Sequence, residues 1–121
     1  MKNKKPYQDI EKRTFNFAVR IIKMVDVLPK KTACFVIGKQ VIESVTSIHS
    51  NIIHARASLT KKEFTNYMNN ASREAKETKG WIEMLIACNF VKEILVQDLL
   101  KENNEIISIL VTICKNVSKN R

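Results

Sequence analysis

The sequence predicts an all-α fold, an antiparallel up-down-up-down four-helix bundle. Two glycines and two prolines in 121 residues leave few places for tight turns, which argues against a many-stranded β fold. Between Thr60 and Leu85, apolar or small residues recur at alternating gaps of three and four, which is the spacing of a packed helix seam. Short linkers join four such segments, so consecutive helices are expected to be antiparallel neighbours.

The first helix is predicted from Asp9 to Leu28. Asp9 is a suitable N-cap residue, and apolar side chains keep helical spacing from Ile10 onwards. Pro29 then blocks continuation of the helix.

The second helix is predicted after the linker of residues 29–32. Its apolar seam runs from Gly38 to Ala55, again in steps of three and four. We expect this helix to end near Ser58, where a short turn leads into the third helix.

The third helix has the clearest start signal in the chain. Thr60 followed by Glu63 forms a capping box, in which the threonine hydroxyl takes a first-turn amide and the glutamate reaches back. This helix is predicted to run to about Cys88, with Asn89 as a left-handed cap. A fourth helix follows, and its seam spans residues 96–117.

The length suits one domain covering residues 1–121, with residues 1–8 and 118–121 expected to be flexible basic tails. The first eight residues are basic and polar, and no apolar segment follows them, so they are not predicted to be a signal peptide. The most apolar run, residues 106–114, is about half of the roughly 20 residues that span a bilayer, so no membrane role is expected. Three cysteines without clustered spacing, Cys34, Cys88 and Cys114, favour reduced thiols in the cytoplasm.

Two of the helices carry apolar residues beside their core seams. One stripe on the third helix contains Tyr67 and Trp81, and the fourth helix carries Leu95, Ile107 and Ile109. A helix that is apolar on more than one face usually has more than one neighbour. These five residues are therefore either the edge of a wide core or a subunit interface built from helices three and four.

Several stretches resemble a known family in their order and spacing. They are FAVRIIKMVDVLP (residues 17–29), GKQVIESVTSIHSNIIHA (38–55), KKEF (61–64), ASREAKETKGWIEML (71–85) and the tripeptide Asn89-Phe90-Val91. Together they resemble the four-helix bundle protein family, which is related to the 23S ribosomal RNA intervening-sequence proteins. The resemblance implies an antiparallel bundle, often a ring-shaped homopentamer, without established enzymatic activity. It also implies, by analogy, an RNA or DNA partner.

The charge distribution gives an independent indication of a partner. In an up-down-up-down bundle, both termini and the turn between helices two and three share one end, which we call the basic end. Only Asp9, Glu11 and Glu63 are acidic there, which leaves that end with +8 of the chain's formal net charge of +9. Its eleven cations, the predicted nucleic-acid-binding residues, are Lys2, Lys4, Lys5, Lys12, Arg13, Arg56, Lys61, Lys62, Lys115, Lys119 and Arg121.

Two interpretations of this charge remain open. In a ring of parallel subunits, the basic ends would form an annulus that contacts several phosphates at once. Alternatively, lysine-rich termini are solvated tails that keep a small protein soluble. Tyr7 is the one aromatic residue near this end, so backbone-driven, salt-sensitive binding is expected rather than base stacking or sequence readout.

The sequence offers little support for catalysis. His49 and His54 are five residues apart, about 140° around a helix, so they cannot face one metal ion. Glu74 and Glu77 could share a face, but the Glu-x-x-His pairs of di-iron bundles are missing, and no cofactor motif is present. A metal or small-molecule enzyme is thus less supported by the sequence than a binding protein or an interaction scaffold.

The sequence favours a cytoplasmic, non-catalytic bundle that forms a homo-oligomer and binds nucleic acid, RNA before DNA. The alternative is a homo-oligomeric scaffold for protein–protein interaction without nucleic-acid binding. Neither hypothesis includes a metal or another cofactor.

Overall fold

Four α-helices follow one another, joined by connections of four or five residues. The computed structural model describes the backbone of residues 6–119 and the side chains of residues 10–117. The helices are α1 (Pro6–Asp26), α2 (Thr32–Arg56), α3 (Lys61–Ala87) and α4 (Glu93–Lys119). The described residues contain no strand, and the predicted all-α fold class is confirmed.

The first helix begins earlier than predicted. Asp9 lies inside α1 rather than at its N-cap, because Pro6 occupies the first helical position, where its missing N–H is not needed. At the other end α1 stops at Asp26. The Val27 and Leu28 amides then donate hydrogen bonds to the carbonyls three residues earlier, which closes the turn before Pro29. The backbone of residues 6–8 and 118–119 is therefore helical, and the rest of the two predicted tails lies outside the described residues.

Both predicted signals that flank α3 are confirmed. The Thr60 hydroxyl accepts a hydrogen bond from the Glu63 amide at 3.1 Å, and the Glu63 carboxylate accepts one from the Leu59 amide at 3.2 Å. Asn89 has a positive φ of 62°. Its N–H and that of the next residue, Phe90, donate to Ile86 and Leu85, which forms a Schellman cap.

The short connections and the contacts between helices together establish the antiparallel order. Thr14 of α1 meets His49 of α2, Ser44 of α2 meets Thr78 of α3, and Asn103 of α4 meets the Ala75 carbonyl of α3. The helices pack in the cyclic order α1, α2, α3, α4, with α4 closing against α1. The α1–α4 and α2–α3 seams are therefore on opposite sides of the bundle.

The first and third connections, α1–α2 and α3–α4, lie at one end of the bundle, which we call the turn end. The Lys31 ammonium lies 5.8 Å from the centre of the Phe90 ring, so the α1–α2 and α3–α4 turns are neighbours. The start of α1, the α2–α3 turn and the end of α4 consequently share the opposite end. This is the arrangement on which the predicted basic end depends.

The core is apolar along its length except for a few polar groups. Its fully buried side chains include Phe17, Ile48, Met68 and Leu110. Two buried hydroxyls, those of Ser44 and Thr78, bond to each other at 2.8 Å and so remain satisfied. All three cysteines are free thiols, and burial raises the pKa of Cys114.

The two glycines sit in opposite environments. A Cβ at Gly38 would come within 2.8 Å of the Val25 methyl, so this glycine allows α1 and α2 to approach closely. A Cβ at Gly80 would meet nothing within 4 Å.

The two sites provide a matched pair of substitutions. Gly80→Ala should raise the free energy of unfolding by about 0.5–1 kcal/mol, because alanine is the better helix former. Gly38→Ala should lower it, because overpacking against Val25 costs about 1–3 kcal/mol and exceeds that gain. Urea denaturation followed by circular dichroism measures both changes, and equal stabilisation by the two would contradict the close α1–α2 contact.

Candidate nucleic-acid interface

Four of the predicted cations are exposed lysines on three different helices. Lys12 lies near the start of α1, Lys61 and Lys62 begin α3, and Lys115 lies in the last turns of α4. Because the start of α1, the start of α3 and the end of α4 share one end of the bundle, the fold brings these lysines to the same end. We refer to Lys12, Lys61, Lys62 and Lys115 as the lysine cluster.

Arg13 is engaged elsewhere. Its guanidinium donates to both carboxylate oxygens of Glu102, at 2.6 and 3.0 Å, and to Glu105 at 2.8 Å. The hydrogen bond to Glu102 raises the pKa of Arg13 above its ordinary value. Arg13 therefore joins α1 to α4, and the predicted balance of only three acidic residues against these cations omitted Glu102 and Glu105.

Arg56 also has a carboxylate partner. It forms an ion pair with Glu11, which links the end of α2 to the start of α1. Arg13 and Arg56 thus connect neighbouring helices, while the lysine cluster adds exposed charge at this end. A guanidinium already held by a carboxylate is less available to a phosphate oxygen.

The remaining five predicted cations lie at or beyond the limits of the described residues. Lys119 is the last residue of α4, at the basic end, but its side chain is not described. The other four, which are Lys2, Lys4, Lys5 and Arg121, lie outside the described residues.

One exposed residue at this end was not predicted from the sequence. Leu59 is 95% exposed at the tip of the α2–α3 turn, directly before the first lysines of α3. Its position between Ser58 and Thr60, in a predicted turn, was the available signal, because a turn leucine cannot join a helix seam. The basic end therefore presents an apolar tip beside its lysines.

The predicted oligomer-interface residues do not form one surface. Tyr67 stacks on His54 with ring centres 5.2 Å apart, which places it on the α2 side of α3, and Trp81 follows two heptads later on that side. Leu95 and Ile109 lie on the α1 side of α4, seven residues to either side of Glu102.

Ile107 lies on a different side of α4. It lies one turn beyond Asn103, whose amide contacts α3, so it faces α3, whereas Leu95 and Ile109 face α1. Ile107 is partly buried against the core, as are Tyr67, Trp81 and Ile109. The five residues are thus divided between the α2–α3, α3–α4 and α1–α4 seams.

His49, His54 and Glu77 each contact a different partner within the bundle. His49 bonds to Thr14 of α1 at 3.1 Å, whereas His54 stacks on Tyr67 of α3, so the two rings face different helices. Burial raises the pKa of Glu74, and Glu77 instead accepts a hydrogen bond from the Trp81 indole at 3.1 Å. Across residues 10–117, no three His, Cys, Asp or Glu side chains are grouped to hold a metal ion.

A family model decides the relationship of this chain to known proteins. The model of the 23S rRNA-intervening sequence protein family matches residues 7–112. The chain belongs to this family. The family resemblance predicted from the sequence is therefore confirmed.

Among solved structures, this chain is similar to the crystal structure of a protein from Bacteroides thetaiotaomicron VPI-5482. That protein is described as a member of the S23 ribosomal protein family with unknown function. The two share 31% sequence identity with a TM-score of 0.86, over 92% of this chain and 99% of the other. No curated protein matches this chain. None of the described helices of this family member combines the length and the apolar character that crossing a membrane requires.

The ion pairs of Arg13 predict a structural role for this residue. Arg13→Met should lower the free energy of unfolding by about 1–3 kcal/mol, because it leaves the partly buried Glu102 carboxylate without its charged donor. Lys12→Met is the matched control on the adjacent, exposed position and should change stability by less than about 0.5 kcal/mol. Thermal or urea unfolding distinguishes them, and equal effects would show that the ion pair contributes nothing measurable.

Proposed function

We propose that this chain is a non-catalytic nucleic-acid-binding protein that binds RNA in preference to DNA through its basic end. The observation that carries the proposal is the location of four exposed lysines, from α1, α3 and α4, at one end of the bundle. Membership of the 23S rRNA-intervening sequence protein family supports RNA as the first partner to test. The free thiols of all three cysteines support the cytoplasm as its location.

The chemistry of the lysine cluster favours phosphate contacts over base recognition. Lysine is a compact point charge that binds phosphate oxygens without a fixed geometry. Among the described residues of the predicted set, Arg13 and Arg56 could form bidentate contacts with guanine edges, but they are held by Glu11, Glu102 and Glu105. Binding through this surface should therefore be salt-sensitive and weakly dependent on sequence.

We also propose that the protein acts as a homo-oligomer, and the family resemblance implies a pentamer. A ring of parallel subunits would repeat the lysine cluster around its axis. Several weak phosphate contacts would then act together, and the effective concentration of each subunit on one RNA would rise. Partly exposed apolar residues on different sides of the bundle support assembly through more than one face.

A protein-interaction scaffold without nucleic-acid binding is the second candidate. The exposed Val27, Ile94 and Leu95 near the turn end support this alternative, because they lie far from the lysine cluster. The two candidates differ in whether RNA binds at low salt.

The proposed function predicts a defined weakening of RNA binding on charge removal. The variant Lys12→Gln/Lys62→Gln/Lys115→Gln should bind a double-stranded RNA hairpin more weakly than the unaltered chain. It should also reduce the slope of log affinity against log salt by about 0.7–0.9 for each phosphate that the variant no longer neutralises. Fluorescence anisotropy over a salt series measures both quantities, with duplex DNA of the same length as the comparison for RNA preference.

The control removes the same charge elsewhere. The variant Lys39→Gln/Lys76→Gln/Lys101→Gln changes three exposed lysines away from the basic end and should keep most of the affinity. Equal losses of affinity in the two variants would show that net charge alone attracts RNA. Absence of binding by the unaltered chain at low salt would refute the proposed function and leave the scaffold.

A further inference from the structure

The tip of the α2–α3 turn exposes one leucine at the basic end. Leu59 is 95% exposed, more than any other large apolar side chain among the described residues. Lys61 and Lys62 follow it by two and three residues and are exposed as well. From residue 53 to residue 67 the one acidic residue is Glu63, against three cations. The tip therefore combines an apolar side chain with two members of the lysine cluster.

Leu59 does not make the contact that its position in the sequence predicts. It directly precedes Thr60, the N-cap of α3, and an apolar residue there often packs on the residue five positions later, which is Phe64. Phe64 packs against the core, and a leucine as exposed as Leu59 is not covered by it. This hydrophobic staple is therefore open, and the leucine side chain faces solvent.

Hydrogen bonds hold the backbone on both sides of this leucine. The Leu59 amide donates to the Glu63 carboxylate at 3.2 Å. On the other side, the Ser58 amide donates to the Ala55 carbonyl at 3.1 Å, and the Ser58 hydroxyl donates to the His54 carbonyl at 3.0 Å. The turn thus presents the leucine in a fixed position before a partner binds, which reduces the entropy lost on binding.

An apolar side chain on a phosphate-binding end narrows the chemistry of the partner. Phosphates, riboses and base edges are polar, so the apolar surface that RNA offers is the face of a base. In a continuous RNA duplex these faces are stacked on one another, and side chains cannot read the deep, narrow major groove. Base faces become accessible where stacking is interrupted, in a bulge, in a loop or at a helix end.

We propose that Leu59 packs against the face of an unpaired base of the bound RNA, while Lys61 and Lys62 contact the phosphates beside that base. Leucine is among the apolar side chains that insert between bases in nucleic-acid complexes. The Cα atoms of both lysines lie within about 11 Å of that of Leu59, so their side chains reach the adjoining backbone. The inference rests on the proposed function and names its ligand class as an RNA duplex interrupted by an unpaired nucleotide.

Two RNA hairpins test this contact. They share one stem sequence, and the second carries a single unpaired adenosine in that stem. The unaltered full-length chain should bind the bulged hairpin about tenfold more tightly, because burial of the leucine side chain adds to the phosphate contacts. Leu59→Ala should lose this advantage and bind the two hairpins alike. Fluorescence anisotropy measures the four affinities.

Salt dependence and base fluorescence separate the leucine from the lysines. Leu59→Ala removes no charge, so the slope of log affinity against log salt should stay unchanged, unlike that of the lysine variant. With 2-aminopurine in place of the unpaired adenosine, the unaltered chain should shift the base fluorescence on binding, and Leu59→Ala should shift it less. Leu59→Met restores an apolar side chain of similar size and should regain the preference for the bulge.

The matched control is Val27→Ala. Val27 is also an apolar turn residue and is 80% exposed, but it lies at the turn end. This variant should keep both affinities of the unaltered chain. Because both substituted side chains are exposed, both variants should remain folded, which circular dichroism verifies.

Other outcomes would overturn the inference. They are equal affinities of the unaltered chain for the two hairpins, or equal losses in Leu59→Ala and Val27→Ala. Dissociation of an oligomer by Leu59→Ala in native mass spectrometry would also overturn it, because the leucine would then be a subunit contact. Salt-sensitive binding of both hairpins without a preference for the bulge would refute the leucine contact and leave the proposed function intact. Absence of binding to either hairpin at low salt would refute the proposed function itself.

Discussion

The antiparallel packing of four apolar seams is the constraint on which the other features depend. The helices are 21 to 27 residues long, and a connection of four or five residues is too short to run back along that length. Each helix must therefore return antiparallel to the one before it. That return fixes which ends meet. The lysines of α1, α3 and α4 come to the same end of the bundle although Lys12 and Lys115 lie near opposite ends of the sequence.

Much of the fold follows from periodicity and cap chemistry alone. The capping box at Thr60 and the left-handed Asn89 were both visible in the sequence, because each depends on residues close together in the chain. The start of α1 was predicted three residues late, because Asp9 is a good cap in isolation but Pro6 is a better first helical residue. Local signals therefore located the helices and left their ends uncertain by a turn or less.

The site was less predictable, because its geometry depends on contacts between distant segments. Arg13 and Glu102 are 89 positions apart, and periodicity gives no information on which charged residues meet across a seam. Likewise, the stripe flanking a seam can face either neighbouring helix, and a single helix pattern does not specify which. Tyr67 and Leu95 were therefore grouped in one surface by their apolar character, although they lie on opposite sides of the bundle.

The buried amide of Asn103 has a consequence for how the helices align. Its nitrogen donates to the Ala75 carbonyl at 2.9 Å, while its side-chain oxygen has no hydrogen-bond partner among the described residues. An unsatisfied acceptor in an apolar interior is destabilising, so a leucine here would make a tighter core. Sliding α4 by one turn along α3 would, however, break the one bond this amide makes and strand both of its polar atoms. Asn103 thus lowers stability but fixes one register of α4 along α3. A seam of aliphatic side chains alone would allow several registers of similar energy.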